Sequence, residues 1–285
     1  MTQKQYEVLQ WASLFLEKNN REVRVAELLL QYHLNVSRTD FFAQMREGIP
    51  ASIVEKFRAD IEKHVKTGIP IQHLMGYELF YGRKFQVNEH VLIPRPETEE
   101  LVLHVINQIE KNSPVTIVDI GTGSGIIAIT LALEIPNATV YAIDISEKAL
   151  EVAKRNAEAL HANVNFLEGD FLQPFVERNL KADIAVSNPP YIAEEEQKTL
   201  ADTVVNYDPE LALFAEDNGL AAYKKIVAQS LGAIRIGGHM AFEIGHLQGH
   251  AVSELIRGIY PSSNVTVIKD INGKDRIVSA SNLTT

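Results

Sequence analysis

The stretch Thr116-Ile117-Val118-Asp119-Ile120-Gly121-Thr122-Gly123-Ser124-Gly125 decides the fold of this chain. Its apolar first half predicts a buried strand, and its glycines allow a tight turn into a helix predicted over 124–134. Further strands are predicted over 139–144, 164–167, 184–186, 238–243, 265–268 and 276–278, with helices from 146 to about 160 and over 219–234. This alternation predicts an α/β fold with a doubly wound, mostly parallel sheet.

The spacing of the glycines argues against two common ligand classes. The turn reads Gly-x-Gly-x-Gly, whereas dinucleotide-binding enzymes carry Gly-x-Gly-x-x-Gly, and no Gly-Lys-Ser/Thr follows as it does in a phosphate loop. Asp144 ends the second strand, where a carboxylate can bind ribose hydroxyls. Asp170 and Phe171 follow the third strand, where they can bind an adenine amino group and cover its ring.

These features come together at one edge of the predicted sheet, because open α/β sheets bind ligands at the carboxyl ends of their strands. The expected ligand contains adenine and ribose and lacks phosphate. It also carries a sulfonium cation, which an acidic site tolerates, and S-adenosylmethionine has this combination of groups. We therefore predict this cofactor, with contacts from Asp119, Gly121, Thr122, Gly123, Ser124, Gly125, Asp144, Asp170, Phe171 and Asn188. The alternatives are packing by the glycines, a helix cap at Asp144 and a plain turn at Asp170.

A second motif, Asn188-Pro189-Pro190-Tyr191, follows the strand predicted over 184–186. The Asn188 side-chain carbonyl and a proline backbone carbonyl can accept both hydrogens of one NH2 group. The prolines fix φ and remove backbone donors, and Tyr191 can lie against a flat amide or base. The motif predicts methylation of a planar, amide-like nitrogen, with Asn188, Pro189 and Tyr191 as catalytic residues and all four residues in substrate binding. A proline-rich turn without function is the alternative.

Composition narrows the class of substrate and the compartment. The 285 residues carry a formal charge of −10, without an obvious basic patch, which argues against a nucleic-acid partner. There is no cysteine, which excludes thiolate metal sites and fits a reducing compartment. No stretch is long and apolar enough to span a membrane, and the first five residues carry no apolar signal region. We predict a cytoplasmic protein without a metal site.

Three regions are predicted along the chain. Residues 1–75 place apolar side chains at helical spacing and predict a small helical domain. Residues 76–93 hold aromatic side chains around Gly82 and predict a hairpin that links two domains. Residues 94–285 carry both motifs and predict the catalytic domain.

The chain resembles the protein-(glutamine-N5) methyltransferases of the type that modifies class 1 peptide chain release factors. The segment Pro94-Arg95-Pro96-Glu97-Thr98-Glu99 is the most specific sign, and Asp208-Pro209 departs from the Glu-Pro that the family commonly has. The resemblance covers the whole chain and rests on residues 93–99, 119–125, 188–191, 209–213, 243–245 with Gln248, and 273–276.

The resemblance implies a seven-stranded class I methyltransferase sheet and a substrate, the glutamine of the Gly-Gly-Gln loop of a release factor. It also implies that the N-terminal helical domain docks this partner. We expect a monomer that binds neither nucleic acid nor membranes. Asn188 and the Pro189 carbonyl would hold the amide, and the sequence identifies no general base beyond the candidate Glu194. The alternatives are an adenine-N6 methyltransferase acting on DNA or RNA, a glutamine methyltransferase acting on a ribosomal protein, and a non-catalytic binding module.

Overall fold

The computed structural model describes residues 3–110 and 113–285. The helices are α1 (Gln5–Lys18), α2 (Arg24–Leu34), α3 (Arg38–Ala43), α4 (Ala51–Thr67), α5 (Ile71–Met75), α6 (Glu97–Asn107), α7 (Ile126–Glu134), α8 (Glu147–Leu160), α9 (Gln173–Glu177), α10 (Asp202–Tyr207), α11 (Glu210–Leu213), α12 (Glu216–Gly219), α13 (Ala221–Ala233) and α14 (Gly249–Ile259). The strands are β1 (Gln3–Lys4), β2 (Gly48–Ile49), β3 (Tyr77–Phe80), β4 (Arg83–Gln86), β5 (Val115–Ile120), β6 (Ala138–Asp144), β7 (Val164–Glu168), β8 (Ala182–Ser187), β9 (Ile234–Glu243), β10 (Asn264–Lys269) and β11 (Asp275–Leu283). A 3-10 helix spans Glu194–Thr199.

The chain divides into two compact units. The first extends to Gly76 and includes Ala201–Tyr207, and the second comprises Tyr77–Leu200 and Asp208–Thr285. Residues 1 and 2 lie outside the described residues. They belong to the predicted helical domain and to the first five residues, for which the sequence predicts no apolar signal region. Within residues 3–110 and 113–285, no helix combines the length and apolarity that a membrane crossing needs.

The first unit is a small helical domain, as its periodicity predicts. Apolar side chains of α1, α2 and α4, among them Leu29 and Phe57, are fully buried in its core. The segment α10, which the sequence analysis included in the region 94–285, belongs to this unit. Two contacts hold α10 there. Arg21 forms a bidentate ion pair with Asp202, with both N–O distances at 2.9 Å, and the Tyr207 hydroxyl donates a hydrogen bond of 2.8 Å to the Thr67 carbonyl.

The hairpin β3–β4 belongs to the second unit, although the sequence analysis describes it as a linker. Phe80 and Phe85 are buried in a cluster with apolar side chains of α6 and α7. The turn residues Tyr81 and Gly82 both have positive φ, 51° and 73°, as tight hairpin turns require.

The second unit contains the predicted seven-stranded, mostly parallel sheet, in the order β10-β11-β9-β8-β5-β6-β7. β5 to β9 run parallel, and β11 pairs antiparallel with both β9 and β10. The predicted fold class is confirmed, and most strands extend the predicted ones by one or two residues at either end. The larger differences are β9, which starts four residues earlier than predicted, and β11, which ends five residues later. Because β5 pairs with β6 on one side and with β8 on the other, the strand order reverses at β5, where such sheets bind ligands.

Candidate active site

A cavity of about 250 Å³ lies at the carboxyl ends of these strands. Nine residues that the sequence analysis proposes for the site line it: Gly121, Thr122, Gly123, Ser124, Asp144, Asp170, Phe171, Asn188 and Pro190. The other four, Asp119, Gly125, Pro189 and Tyr191, lie next to these residues without lining the cavity. We call the part formed by residues 121–124, Asp144, Asp170 and Phe171 the glycine-loop end, and the part around Asn188 the Asn188 end.

The turn after β5 is tied to β6 through its backbone. The N–H groups of Gly121 and Thr122 both donate to the Ile143 carbonyl, at 2.8 and 2.9 Å. Gly121 and Gly123 have φ of 72° and 55°, a region that favours glycine. A Cβ at either position would meet no protein atom within 4 Å, so the space above the turn is open to a ligand.

Asp119 lies beneath this turn and holds its shape. The carboxyl Oδ2 accepts hydrogen bonds from the Thr122 hydroxyl at 2.6 Å and from the Ala128 N–H at 3.1 Å. Oδ1 is buried and has no hydrogen-bond partner among the described residues. Complete burial raises the pKa of Asp119 to about 7, although the two hydrogen bonds act against this shift.

Asp144 faces the cavity from the end of β6. Its Oδ2 accepts from the Gly123 N–H at 2.8 Å and its Oδ1 from the Ser146 N–H at 2.9 Å. Burial raises the pKa of Asp144 above its usual value, while these backbone donors lower it. Each carboxylate oxygen can accept a second hydrogen bond, so the group can still bind two ligand hydroxyls.

Asp170 and Phe171 complete the glycine-loop end. Phe171 adopts a φ of 51°, and its ring centroid lies 5.7 Å from the Lys225 ammonium. Lys225 also forms an ion pair with Asp170 Oδ2, a partner that the sequence analysis does not identify. With Asp144 for hydroxyls, Asp170 for an amino group and an aromatic face nearby, these residues fit an adenosine ligand without phosphates.

The turn that carries Asn188 is fixed by a remote glutamine. Gln248 Nε2 donates to the Tyr191 carbonyl at 2.9 Å, and its Oε1 accepts from the Gly245 N–H at 3.0 Å. Gly219 packs against the same carbonyl: a Cβ there would lie 2.1 Å from the Tyr191 oxygen. The backbone of the second motif therefore has little freedom to move.

Asn188 itself is held by side chains from two distant elements. Its Nδ2 donates to the Thr98 hydroxyl of α6 at 3.3 Å, and Thr98 donates to Glu243 Oε2 at the end of β9 at 2.7 Å. Because the only hydrogen bond of the Asn188 side chain among the described residues uses Nδ2, its Oδ1 is available to a ligand. Burial raises the pKa of Glu243 to about 7, whereas the Thr98 hydrogen bond and the Arg276 charge lower it.

Two further groups surround this end. Burial and the Glu243 charge raise the pKa of Tyr191 to about 12, so its phenol is neutral near pH 7. Arg95, which lines the cavity, donates to the buried carboxyl of Asp208 at 2.6 Å. This ion pair links the Pro-Arg-Pro segment to the Asp-Pro segment that departs from the family pattern.

Among the residues at the site that the sequence analysis did not assign to it are Thr98, Glu243, Arg95 and Lys225. Arg95, Thr98 and Glu243 lie in the segments 93–99 and 243–245, on which the resemblance rests. Membership of these motifs is therefore the signal that could have identified them. Among the described residues, no group of three or more His, Cys, Asp or Glu side chains is arranged to hold a metal ion.

Comparison with known proteins gives two family matches. Residues 7–76 match the model described as the PrmC N-terminal domain, and residues 99–211 match the methyltransferase small domain. The release factor glutamine methyltransferase of Bacillus cereus is 47% identical over 278 residues, covering 96% of this chain and 98% of that protein. The protein of the same name from Bacillus subtilis is 45% identical, covering 96% of each chain.

A solved structure supports the fold. The crystal structure of a methyltransferase from Pyrococcus furiosus aligns with a TM-score of 0.54 at 18% identity, over 72% of this chain and 91% of that one. At this identity the likeness concerns the arrangement of the strands and helices alone.

Proposed function

This chain belongs to the release factor glutamine methyltransferase family, and we propose that it methylates the glutamine of the Gly-Gly-Gln motif in class 1 peptide chain release factors. It is an enzyme, and its cofactor is S-adenosylmethionine. The cofactor supplies an electrophilic methyl group: its S–CH3 bond breaks, an N–CH3 bond forms, sulfur keeps the electron pair, and the amide nitrogen loses one proton to water.

The observation that carries the proposal is the orientation of Asn188. Its Nδ2 is occupied by Thr98, so the atom left for a substrate is the acceptor Oδ1, which suits the N–H groups of a primary amide. Oδ1 and the Pro189 carbonyl accept the two N–H bonds and direct the nitrogen lone pair toward the methyl group. Tyr191 is neutral and packs beside the amide plane.

Positioning accounts for most of the rate in this scheme. A primary amide nitrogen is a poor nucleophile because its lone pair is delocalised, and no side chain in the site has to become covalently attached. Holding the two reactants in line can contribute about 7–11 kcal/mol to lowering a barrier. The contacts of Gln248 and Gly219 with the Tyr191 carbonyl keep the Asn188 turn in the geometry that this requires.

We also propose the finer features of the enzyme. The N-terminal helical unit docks the release factor, the protein acts in the cytoplasm as a monomer, and no nucleic acid takes part. The charge of −10 supports the last point, because a nucleic-acid enzyme would need a basic face for phosphates. Light scattering of the purified protein with and without release factor tests the monomer and the one-to-one complex.

The decisive experiment is mass spectrometry of a recombinant class 1 release factor after incubation with this protein and S-adenosylmethionine. We expect one added methyl group on the Gly-Gly-Gln glutamine. A release factor with that glutamine changed to asparagine is the matched control and should stay unmodified. Methylation of a ribosomal protein or of adenine in nucleic acid, with the release factor unmodified, would overturn the proposal.

A further inference from the structure

Three side chains from three elements form a buried polar relay behind the substrate position. Asn188 follows β8, Thr98 lies in the first turn of α6, and Glu243 ends β9. Thr98 and Glu243 are 1% and 2% exposed, so water does not compete for their hydrogen bonds. The two bonds of the relay measure 3.3 Å and 2.7 Å. We call these three residues the Asn188 relay.

The direction of each hydrogen bond in the relay follows from the carboxylate. An ionised carboxylate can only accept, so the single hydroxyl hydrogen of Thr98 is committed to Glu243. The Thr98 oxygen is then left to accept, and the Asn188 atom that faces it must be the donor Nδ2. Oδ1 is consequently turned toward the cavity, where an acceptor is needed.

We propose that Glu243, acting through Thr98, determines which atom of Asn188 faces the substrate and thereby sets whether the site accepts or donates hydrogen bonds. Thr98 and Glu243 are thus positioning residues for the methyl transfer. This inference rests on the proposed function for its catalytic consequence, whereas the orientation of Asn188 is a property of the protein alone. A buried relay of this kind also polarises Oδ1 and strengthens it as an acceptor.

Protonation of Glu243 reverses the relay. A neutral carboxyl can donate to Thr98, which frees the Thr98 hydroxyl to donate to Asn188 and favours Oδ1 in the place of Nδ2. The amide then presents N–H groups to a substrate that itself presents N–H groups. Because burial raises the pKa of Glu243 to about 7, this change falls within an accessible pH range.

Other charged and titratable groups around Glu243 modulate this equilibrium. Arg276 and Arg95 favour the carboxylate and Glu97 opposes it, while the Tyr191 and Tyr223 phenols lie nearby and stay neutral. We expect the methylation rate at saturating substrates to rise with pH through the pKa of Glu243.

Substitution of Thr98 separates the hydroxyl from the shape of the side chain. Thr98→Val keeps the volume and leaves Asn188 without an acceptor, so kcat should fall on the order of 10- to 100-fold. Thr98→Ser restores the hydroxyl and should recover most of the rate. The dissociation constant of S-adenosylmethionine should change by less than about 3-fold in both. Thr130→Val is the matched control, because its hydroxyl is fully buried and has no partner among the described residues.

Glu243→Gln tests the direction of the relay. Glutamine can present either an oxygen or an NH2 group to Thr98, so the orientation of Asn188 is no longer set by charge. We expect a lower kcat that no longer rises with pH, again with unchanged cofactor binding. A pH–rate profile of Glu243→Gln that matches the wild-type profile would overturn the inference.

The orientation itself can be measured without methylation. The side-chain amide resonances of Asn188 in 15N-labelled protein, assigned by their loss in Asn188→Ala, should shift with a midpoint near the pKa of Glu243. Thr98→Val and Glu243→Gln should abolish this titration, and Thr130→Val should keep it. A wild-type protein whose Asn188 resonances do not titrate overturns the relay. A wild-type protein that shows the titration and methylates no release factor supports the relay and overturns only the proposed function.

Discussion

The two ends of the cavity hold their polar side chains in different ways. At the glycine-loop end, Asp144 accepts hydrogen bonds from the backbone N–H groups of Gly123 and Ser146, and Ser146 is only two residues away in sequence. At the Asn188 end, the Asn188 side chain is held by the side chain of Thr98, 90 positions away in sequence. Thr98 is held in turn by Glu243, which is 145 positions from Thr98.

This difference predicts different responses to substitution. Backbone N–H donors are present whichever side chains the residues carry. Changing a single residue of the glycine-loop end therefore weakens one ligand contact and leaves the backbone of the loop in place. At the Asn188 end, the side-chain amide of Asn188 is oriented by another side chain, so one substitution alters the orientation of the substrate. We therefore expect losses in kcat at the Asn188 end and losses in cofactor affinity at the glycine-loop end.

Asn188→Ala should produce the largest loss. It removes the acceptor for one substrate N–H, and we expect kcat to fall by about 100-fold or more, in line with the removal of other positioned hydrogen-bonding groups. The dissociation constant of S-adenosylmethionine, measured by calorimetry, should stay within about 3-fold of wild type. A loss of only a few-fold in kcat would contradict the contrast between the two ends.

Gly219→Ala tests the frame behind Asn188 without touching the substrate. The added Cβ would lie 2.1 Å from the Tyr191 carbonyl oxygen, and the φ of 80° disfavours alanine, so the turn must shift. We expect kcat to fall on the order of 10-fold, because a small misplacement of Asn188 spoils the in-line geometry. Gly258→Ala is the control: a Cβ there meets no atom within 4 Å, in an exposed position of α14, and the variant should keep full activity. Equal rates for both variants would show that the turn adapts.

The same contrast explains what could be read from the sequence. The strand β5, its glycine turn and Asp144 depend on neighbours along the chain, and local periodicity and glycine spacing predicted them. The Thr98–Glu243 contact joins α6 to β9, and the ion pair of Arg21 with Asp202 joins two segments 181 positions apart. Such pairings depend on how the elements pack, which one sequence does not display. The pairing of Lys225 with Asp170 was unpredictable for the same reason.

Asp144→Ala addresses the glycine-loop end. It removes the acceptor for the ribose hydroxyls and one contact of the Gly123 N–H, so the dissociation constant of S-adenosylmethionine should rise about 10-fold. At saturating cofactor, kcat should stay within about 3-fold of wild type, because Asn188 and its relay are unchanged. Asp144→Asn keeps the shape and one acceptor and should lie between wild type and alanine. An unchanged dissociation constant for the alanine variant would show that Asp144 serves only to hold the glycine loop.

A third polar cluster in the second unit touches neither end and provides the reference for both. The Nε2 atoms of His104 in α6 and of His239 in β9, four residues before Glu243, each lie 2.8 Å from the hydroxyl of Ser279 in β11. Burial lowers the pKa of His239 to about 4 and also lowers the pKa of His104. The unfolded chain therefore takes up protons first as the pH falls below the ordinary histidine pKa of about 6.5, and the folded state loses stability from there down to about pH 4.

His239→Gln should reduce this acid sensitivity, because glutamine does not titrate and can still reach Ser279. Between pH 7 and pH 4, the free energy of unfolding should fall by about 1 to 3 kcal/mol less in the variant than in wild type. His250→Gln removes an exposed histidine and should follow the wild-type curve, and neither variant should change kcat at pH 7.5. Urea titrations at several pH values measure the difference. A change in the methylation rate would mean that His239 is coupled to Glu243 through β9. The histidine cluster and the active site would then not be independent of each other.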